Sequence, residues 1–157
     1  MTTPPSHAGL PAPARVRDRA TWLLSRAYLR STGLLSEGFE AAGGDLRGYH
    51  YRLLAALEES GPVSQASLGR STSIDRSDVT AVLAELEDRR LVERTVDPDD
   101  RRRNLVSMTR AGMGELTRLD RVISGIQDRL LAPLSAAEQR RFLELLRRVA
   151  DGVTPPP

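Results

Sequence analysis

Three consecutive arginines, Arg101 to Arg103, end a short run rich in aspartate. Stretches rich in Val, Leu and Thr lie on both sides, at 91–96 and 104–109, and this pattern predicts a β-hairpin with a charged tip. A guanidinium is planar, permanently charged and weakly hydrated, so it suits phosphates and the narrow minor groove of DNA. Asp100 lies two residues before Arg102, a spacing that allows a bidentate ion pair holding that guanidinium extended. A solvated charged turn is the alternative.

A second polar group begins the helical segment 75–90. When such a helix follows another across a short turn, its first residues meet base edges in a major groove. Arg76 can pair with guanine, and Asp78 can accept a hydrogen bond from the amino group of cytosine. Ser77 and Thr80 are short enough to reach bases or phosphates, although local capping explains each of them nearly as well.

Ser64 and Gln65 begin the preceding helical segment, where side chains and free backbone N–H groups can hold phosphates. Overall charge does not support this interpretation. The chain of 157 residues has 23 arginines, no lysine and 21 acidic residues, for a formal net charge of +2. Residues 64–109 contain eight arginines against nine acidic residues, so any affinity for DNA must come from local placement.

Composition excludes several other chemistries. The chain has no cysteine, which removes disulfides, thiolate zinc sites and cysteine nucleophiles. Its two histidines lie far apart, and we find no phosphate-binding glycine loop or nucleophile elbow, so we expect no enzyme, cofactor or metal site. No apolar run approaches the roughly 18 residues of a membrane span, and no signal pattern is present. We therefore expect a soluble, cytoplasmic protein without a membrane partner.

Helical periodicity predicts the elements that position these side chains. A long first helix runs from Val16 and stops at Gly43 and Gly44, and a second runs from Leu46 to Ser60. Two shorter helices, at 64–70 and 75–90, precede the hairpin, with the turn Ser71–Ile74 between them and Asp75 as N-cap of the second. This order is typical of a winged helix-turn-helix.

After the hairpin, Thr109 is a predicted cap for a long helix that Pro133 ends. Five of its apolar residues repeat at steps of three and four, as in a coiled coil: Leu116, Leu119, Ile123, Ile126 and Leu130. Ser135 and Glu138 form a predicted capping box for a last helix, which carries Phe142, Leu145, Leu146 and Val149.

The central motifs resemble the winged-helix core of the MarR family of transcriptional regulators. The residues that match the family pattern are Ser64, Gln65, Leu68, Ile74, Asp75, Arg76, Ser77, Val79, Thr80, Leu86, Leu91, Val92, Arg94, Asp97, Pro98, Asp100, Arg101, Arg102, Val106, Thr109 and Gly112. The hairpin is the most specific part, and the resemblance covers about residues 20–150. Two departures are Arg90, where the family usually has Gly, and Met108, where it has Leu. Because Gly there adopts a left-handed backbone, either the helix ends differently or Arg90 is strained.

The resemblance implies a mainly α, α+β fold and an obligate homodimer on double-stranded DNA. The corresponding organisation is a disordered arm at 1–14, a dimerisation helix at 15–44, a winged helix-turn-helix domain at 45–110, dimerisation helices at 111–151 and a disordered tail at 152–157. It also implies that Arg102 enters the minor groove, with Arg101 and Arg103 on phosphates. A two-fold dimer requires a pseudo-palindromic site with half-sites about 10 bp apart. An intramolecular helix bundle is the alternative to the dimer.

MarR-type regulators commonly bind small aromatic or phenolic anions between the dimerisation helices and the winged domain, which makes Trp22, Arg26, His50 and Tyr51 candidate ligand residues. Arg26 lies one helical turn from Trp22 and could pair with a carboxylate. Core packing is the stronger alternative for Trp22 and Tyr51, and a hydrogen bond at a helix boundary explains His50 equally well. The resulting function is a dimeric, ligand-released repressor. The alternatives are a ligand-independent or architectural winged-helix protein and, from another class, an enzyme or helical interaction module.

Overall fold

The computed structural model describes residues 13–152. The predicted disordered arm and tail fall outside the described residues except at their inner ends. The chain divides into two compact units, Met1–Gly33 and Leu34–Pro157, each of which is described by itself.

In the first unit, tight turns precede the long helix α1 (Ala20–Ala41), which continues into the second unit. The N–H groups of Val16 and Arg17 both donate to the Pro13 carbonyl, at 3.0 and 3.1 Å. The predicted helix start at Val16 is therefore wrong by four residues, because turns rather than a continuous helical ladder satisfy these N–H groups. Four large apolar side chains of α1 in this unit are exposed: Leu23, Leu24, Tyr28 and Leu29.

The second unit has the element order of a winged helix-turn-helix. After α1 come α2 (Gly48–Ser60), β1 (Val63–Ser64), α3 (Gln65–Thr72), α4 (Arg76–Asp88), β2 (Val92–Val96), β3 (Asn104–Met108), α5 (Arg110–Leu131) and α6 (Ala136–Asp151). The three strands form one antiparallel sheet in the order β1–β3–β2. The mainly helical fold, the hairpin and the helix order predicted from periodicity are confirmed, with ends that differ by up to two residues in α2, α3 and α4.

The core of this unit lies where α2, α3, α4 and α5 pack with the sheet. Each helix contributes apolar residues at steps of three and four, which place them on one face. The largest fully buried side chains are Phe39, Leu53, Leu54, Leu68, Val79, Leu83, Leu86, Val106 and Leu119. This core holds the helix-turn-helix and the hairpin in one arrangement.

The first residues of α5 and α6 are capped by the side chains that the sequence predicts. The Thr109 hydroxyl accepts a hydrogen bond from the Gly112 N–H at 3.1 Å and begins α5. Ser135 and Glu138 form the capping box of α6, in which the Glu138 carboxylate accepts from the Ser135 N–H at 2.8 Å. The hydrogen bond from the Ser135 hydroxyl lowers the pKa of Glu138, and the one from the Ser135 N–H lowers it further. Asp75 is at the N-cap of α4 but its side chain makes no capping hydrogen bond.

The strand β1 is absent from the sequence prediction. Its two residues pair with β3, Val63 opposite Val106 and Ser64 opposite Leu105. Two residues are too few to show an alternating pattern, and the partner strand lies about forty residues further along the chain. The pairing joins the start of the helix-turn-helix directly to the hairpin.

The apolar seam of α5 packs within the chain. Leu116 and Leu119 are buried in the core, Ile123 packs against it, and Ile126 is buried. These four residues therefore pack within the chain, as the intramolecular alternative expects, and the dimer itself stays a prediction. In contrast, none of the α6 side chains, all of which the structure describes, is buried.

Candidate nucleic-acid interface

The helix-turn-helix consists of α3, a left-handed turn and α4. The Ser64 hydroxyl caps α3 by accepting from the Ser67 N–H at 3.3 Å. At the other end, Ser73 has a φ of 52°, a left-handed conformation that reverses the chain within the turn. Arg76 and Ser77 follow at the start of α4, where their side chains are exposed, while Asp78 is half-buried. The candidate base-reading residues therefore stand on the first turn of α4.

Thr80 and Gln65 bind one another. The Gln65 side-chain amide donates to the Thr80 hydroxyl at 2.6 Å, and that hydroxyl donates to the Arg76 carbonyl at 2.9 Å. The local hydrogen bond considered from the sequence is therefore present for Thr80. Both side chains retain exposed surface beside the first turn of α4.

The wing tip between β2 and β3 is a compact hydrogen-bonded loop. The Asp97 N–H donates to the Arg103 carbonyl, and the Arg103 N–H donates to the Asp100 carbonyl, each at 2.9 Å. Asp97 itself is buried, and its carboxylate accepts from the Asp99 N–H at 2.9 Å. This loop holds Arg101 to Arg103 on an exposed, ordered turn.

The predicted ion pair between Asp100 and the Arg102 guanidinium is wrong. The Asp100 carboxylate accepts instead from the backbone N–H of Arg102, at 3.0 Å. Aspartate side chains commonly accept a hydrogen bond from the backbone N–H two residues ahead and so close a turn. The spacing of Asp100 and Arg102 therefore suits this bond as well as an ion pair with the guanidinium. Neither Arg102 nor its two arginine neighbours forms an ion pair with any residue between 13 and 152. Asp100 orders the loop backbone and leaves the guanidinium free.

A concave groove of about 880 Å³ joins these parts. Its wall contains the first residues of α3 and α4 and the strands of the wing: Ser64, Gln65, Ala66, Gly69, Arg70, Ile74, Asp75, Arg76, Val79, Arg94, Arg103, Asn104 and Val106. Four arginines thus surround one groove in a domain whose net charge is slightly negative. Arg70 and Arg94 are not among the predicted DNA-binding residues, although Arg94 matches the MarR pattern. Arg70 lies near the end of a helix and Arg94 on the inner face of a strand. Neither place identifies a groove residue until the packing of the elements is known.

Of the candidate ligand residues, His50 and Tyr51 lie in the second unit. His50 is buried, and its Nδ1 accepts from the Arg47 N–H at 2.9 Å, so the ring proton is on Nε2, which donates to Glu85 of α4 at 2.9 Å. The helix-boundary hydrogen bond considered from the sequence is present, and both ring nitrogens have partners.

Tyr51 links α2 to α5. Its hydroxyl donates to the Asp120 carboxylate at 2.9 Å. Burial raises the pKa of Tyr51, and the Asp120 hydrogen bond and the charges of Asp120 and Glu58 raise it further. In the first unit, Trp22 is half-buried and Arg26 is exposed.

Comparison with known proteins agrees with this geometry. A family model described as "MarR family" matches residues 45–103. The HTH-type transcriptional repressor NicR of Pseudomonas putida is 32% identical over 150 residues, which cover 95% of this chain and 94% of NicR. The chain belongs to the MarR family. It is therefore a member of a family of transcriptional regulators rather than of enzymes.

Two solved MarR-type structures are similar throughout. PcaV of Streptomyces coelicolor, solved in complex with its natural ligand, is 30% identical with a TM-score of 0.74, over 85% of this chain and 93% of PcaV. BpsR of Bordetella bronchiseptica, whose DNA binding is regulated by 6-hydroxynicotinic acid, is 27% identical with a TM-score of 0.79, over 88% of this chain and 98% of BpsR.

The departure from the MarR pattern at Arg90 is now explained. Arg90 has a φ of 59°, so it takes the left-handed conformation in which the family usually has Gly. The following segment is held in place by Thr109, whose hydroxyl donates to the Arg90 carbonyl at 2.7 Å and whose N–H donates to the Leu91 carbonyl at 3.0 Å. Of the two outcomes considered from the sequence, the strained residue is the one observed.

The described residues contain no group of three His, Asp or Glu side chains placed to hold a metal ion. Among the helices within 13–152, none is long and apolar enough to cross a membrane.

Proposed function

We propose that this MarR-family protein is a homodimeric repressor that binds a pseudo-palindromic operator in the cytoplasm and is released by a small aromatic anion. The observation that carries the proposal is the groove bounded by the first turn of α4 and the wing, with Arg76 on one side and Arg103 on the other, neither of which forms an ion pair with a residue between 13 and 152. This arrangement matches DNA, in which α4 would enter a major groove while the wing reaches the adjacent minor groove.

In this proposal α4 reads base edges through Arg76, Ser77, Asp78 and Thr80. Ser64 and Gln65 meet phosphates at the start of α3. Arg102 enters the minor groove, and Arg101 and Arg103 bind the phosphates beside it. Asp100 contributes by ordering the wing backbone.

The proposed dimer rests on apolar surface that the described residues, 13–152, leave uncovered. On α6, Phe142, Leu145 and Val149 are 39%, 41% and 64% exposed. Single exposed apolar residues are ordinary, but three on one helical face indicate an interface. Two copies of the chain joined through such helices would present two copies of α4 to half-sites about one turn of DNA apart.

The proposed effector is a small aromatic or phenolic anion, since BpsR responds to 6-hydroxynicotinic acid and PcaV has a natural ligand. The candidate ligand residues are Trp22 and Arg26 in the first unit and His50 and Tyr51 in the second. Because both His50 nitrogens already have partners, a ligand beside His50 would contact only the ring and would act through the link to Glu85. A ligand shifts the equilibrium only by its differential affinity for the DNA-binding and released states.

The test of DNA binding begins with selection of bound duplexes from a random pool, which yields the palindrome and its spacing. On that operator we expect Arg102→Ala to weaken binding at least tenfold, about 1.4 kcal/mol, while the dimer persists in analytical ultracentrifugation. Arg140→Ala, which removes an exposed arginine of α6, is the matched control. Equal affinity of Arg102→Ala and wild type would overturn the role given to the wing.

The effector is tested by a thermal-shift screen with aromatic and phenolic acids, followed by gel shift. Compounds that both stabilise the protein and release the operator support ligand control. Failure of the whole screen favours a ligand-independent DNA-binding or architectural protein.

A further inference from the structure

Arg94 occupies an unusual place for a cationic residue of the wing. It lies in β2 directly opposite Val106, and Val92, two residues earlier, is on the same face. Both valines are buried. Arg94 therefore projects toward the helices rather than away from the sheet, and its side chain is only 31% exposed.

Its guanidinium joins both helices of the helix-turn-helix. Nε donates to Glu87 Oε2 near the end of α4 at 3.0 Å, and Nη1 donates to Gln65 Oε1 at the start of α3 at 3.4 Å. Gln65 in turn donates to Thr80, whose hydroxyl bonds the Arg76 carbonyl. A continuous chain of hydrogen bonds thus runs from the wing strand to the first turn of α4.

Charge distinguishes Arg94 from the other arginines of the groove. Glu87 forms an ion pair with it and is itself 42% exposed. Arg76 and Arg103 have no carboxylate partner among residues 13–152. A phosphate could bind Arg94 only by displacing Glu87 or by tolerating its negative charge nearby.

We infer that Arg94, through Glu87 and Gln65, is a positioning residue that sets the orientation of the wing relative to the base-reading turn of α4 and does not itself bind DNA. The inference rests on the proposed DNA binding. The wing and α4 must enter neighbouring grooves together, so the ion pair contributes to affinity by reducing the freedom of the hairpin in the unbound protein.

A phosphate contact and a positioning contact predict opposite results for Glu87→Gln. If Arg94 bound a phosphate, removal of the competing carboxylate would strengthen operator binding. We expect Glu87→Gln and Arg94→Gln each to weaken it, by about fivefold to tenfold. The slope of log affinity against log salt concentration should stay unchanged in Arg94→Gln, whereas loss of one phosphate contact lowers it by about 0.9.

The reversed pair Glu87→Arg with Arg94→Glu should recover affinity to within about threefold of wild type, since it restores the bridge with the charges exchanged. Arg89→Gln is the matched control, because it breaks an ion pair of the same kind, to Asp45, at the end of the same helix. Circular dichroism and ultracentrifugation should show the wild-type fold and the same oligomer for every variant. If Arg94→Gln fails to fold, Glu87→Gln still decides, because the sign of its effect differs between the two roles.

A measurement without DNA separates this inference from the proposed function. Amide hydrogen exchange in β2 and β3 should be faster in Arg94→Gln than in Arg89→Gln. Should Arg102→Ala lose affinity while Glu87→Gln gains it, or should the salt slope fall in Arg94→Gln, the positioning role is overturned and DNA binding stands. If no duplex is bound by wild type, the proposed function fails, and unchanged exchange in Arg94→Gln then refutes the bridge as well.

Discussion

At the residue scale, the wing tip is organised by carboxylates that bind backbone rather than side chains. Asp97 accepts from the Asp99 N–H inside the loop, and Asp100 accepts from the Arg102 N–H at its exposed edge. Each carboxylate closes a turn around one intervening residue, Pro98 in the first case and Arg101 in the second. Two of the three carboxylates in this tip, those of Asp97 and Asp100, therefore order its backbone.

This role predicts different results for two changes at Asp100. Asp100→Asn keeps an acceptor oxygen for the Arg102 N–H and removes a charge that repels phosphate, so operator affinity should be equal to wild type or higher. Asp100→Ala removes the acceptor and should lower affinity several-fold, because the loop must then be ordered on binding. Fluorescence anisotropy on the selected operator measures both. A loss in Asp100→Asn as large as in Asp100→Ala would instead indicate ion pairing with a guanidinium.

A second prediction at this scale concerns Tyr51 at alkaline pH. Its pKa in the folded protein is raised, so above about pH 10 the unfolded chain loses this proton first. The free energy of unfolding therefore falls as pH rises through this range. Ultraviolet difference titration should show a late phenolate step that Tyr51→Phe removes, and urea unfolding of Tyr51→Phe should depend less steeply on pH there. The absence of lysine and cysteine keeps this range free of their titration. A titration of wild type with no late step would contradict the expectation.

At the element scale, the junction between α4, β2 and α5 is tightly constrained. Arg90 is left-handed, Thr109 bonds the carbonyls of both Arg90 and Leu91, and Gly112 lies against the Leu91 carbonyl. A Cβ at Gly112 would overlap that oxygen. The same junction therefore explains why the MarR family usually has glycine at position 90 and why replacing Gly112 should be costly.

Gly112→Ala should destabilise the protein by about 1–3 kcal/mol, since the first turn of α5 must move away from Leu91. Gly114→Ala is the matched control two residues later in the same helix, where a Cβ meets nothing within 4 Å. That change should stabilise the protein by up to about 1 kcal/mol through helix propensity. Chemical unfolding of both variants checks the pair, and two shifts of the same sign would refute it.

Arg90→Gly should raise the free energy of unfolding by about 0.5–1 kcal/mol, because glycine adopts the left-handed conformation without strain. Arg90→Ala removes the same side chain but keeps a Cβ, and should show no such gain. Thermal and urea unfolding distinguish the two. Equal stability of both variants would show that the strain at Arg90 is negligible.

The elements that the sequence predicts well are those defined by local chemistry. Thr109, Ser135 and Glu138 cap helices whose first turns they touch, and the hairpin follows from two short strands around a polar turn. The strand β1 and the bridge at Arg94 depend on partners far along the chain, which no local pattern reports. Sequence spacing also leaves the hydrogen-bond partner of Asp100 open, because the backbone N–H and the guanidinium of Arg102 are both within reach. It likewise leaves open whether the α5 seam packs against its own chain or a second copy.

At the scale of the whole molecule, α5 and α6 differ in how far the described residues cover their apolar faces. Leu116, Leu119 and Ile123 of the α5 seam pack with the core, whereas α6 carries a capping box, a regular apolar face and no buried side chain within the described residues. An amphipathic helix gains most of its stability by packing that face. The α6 surface is therefore the place to test the proposed dimer.

Leu145→Glu should convert the dimer to a monomer in sedimentation velocity and weaken operator binding by an order of magnitude or more, because each half-site must then be bound separately. Arg140→Gln changes the charge by the same amount on the same helix and should leave the dimer intact. If the dimer persists in both variants, the interface does not lie on the apolar face of α6.

The pairing of β1 with β3 has a consequence for the operator itself. The helix-turn-helix and the wing share one sheet, which holds the start of α3 beside β3. In the proposed complex, this link sets the distance between the bases that α4 would read and the minor groove that the wing would enter within each half-site. Insertions of one base pair inside a half-site should therefore be selected against in every target promoter. A base pair inserted at the centre of symmetry leaves each half-site intact but changes both the separation and the rotation between the two halves, so it should weaken binding by the dimer without altering the fit of a single winged domain.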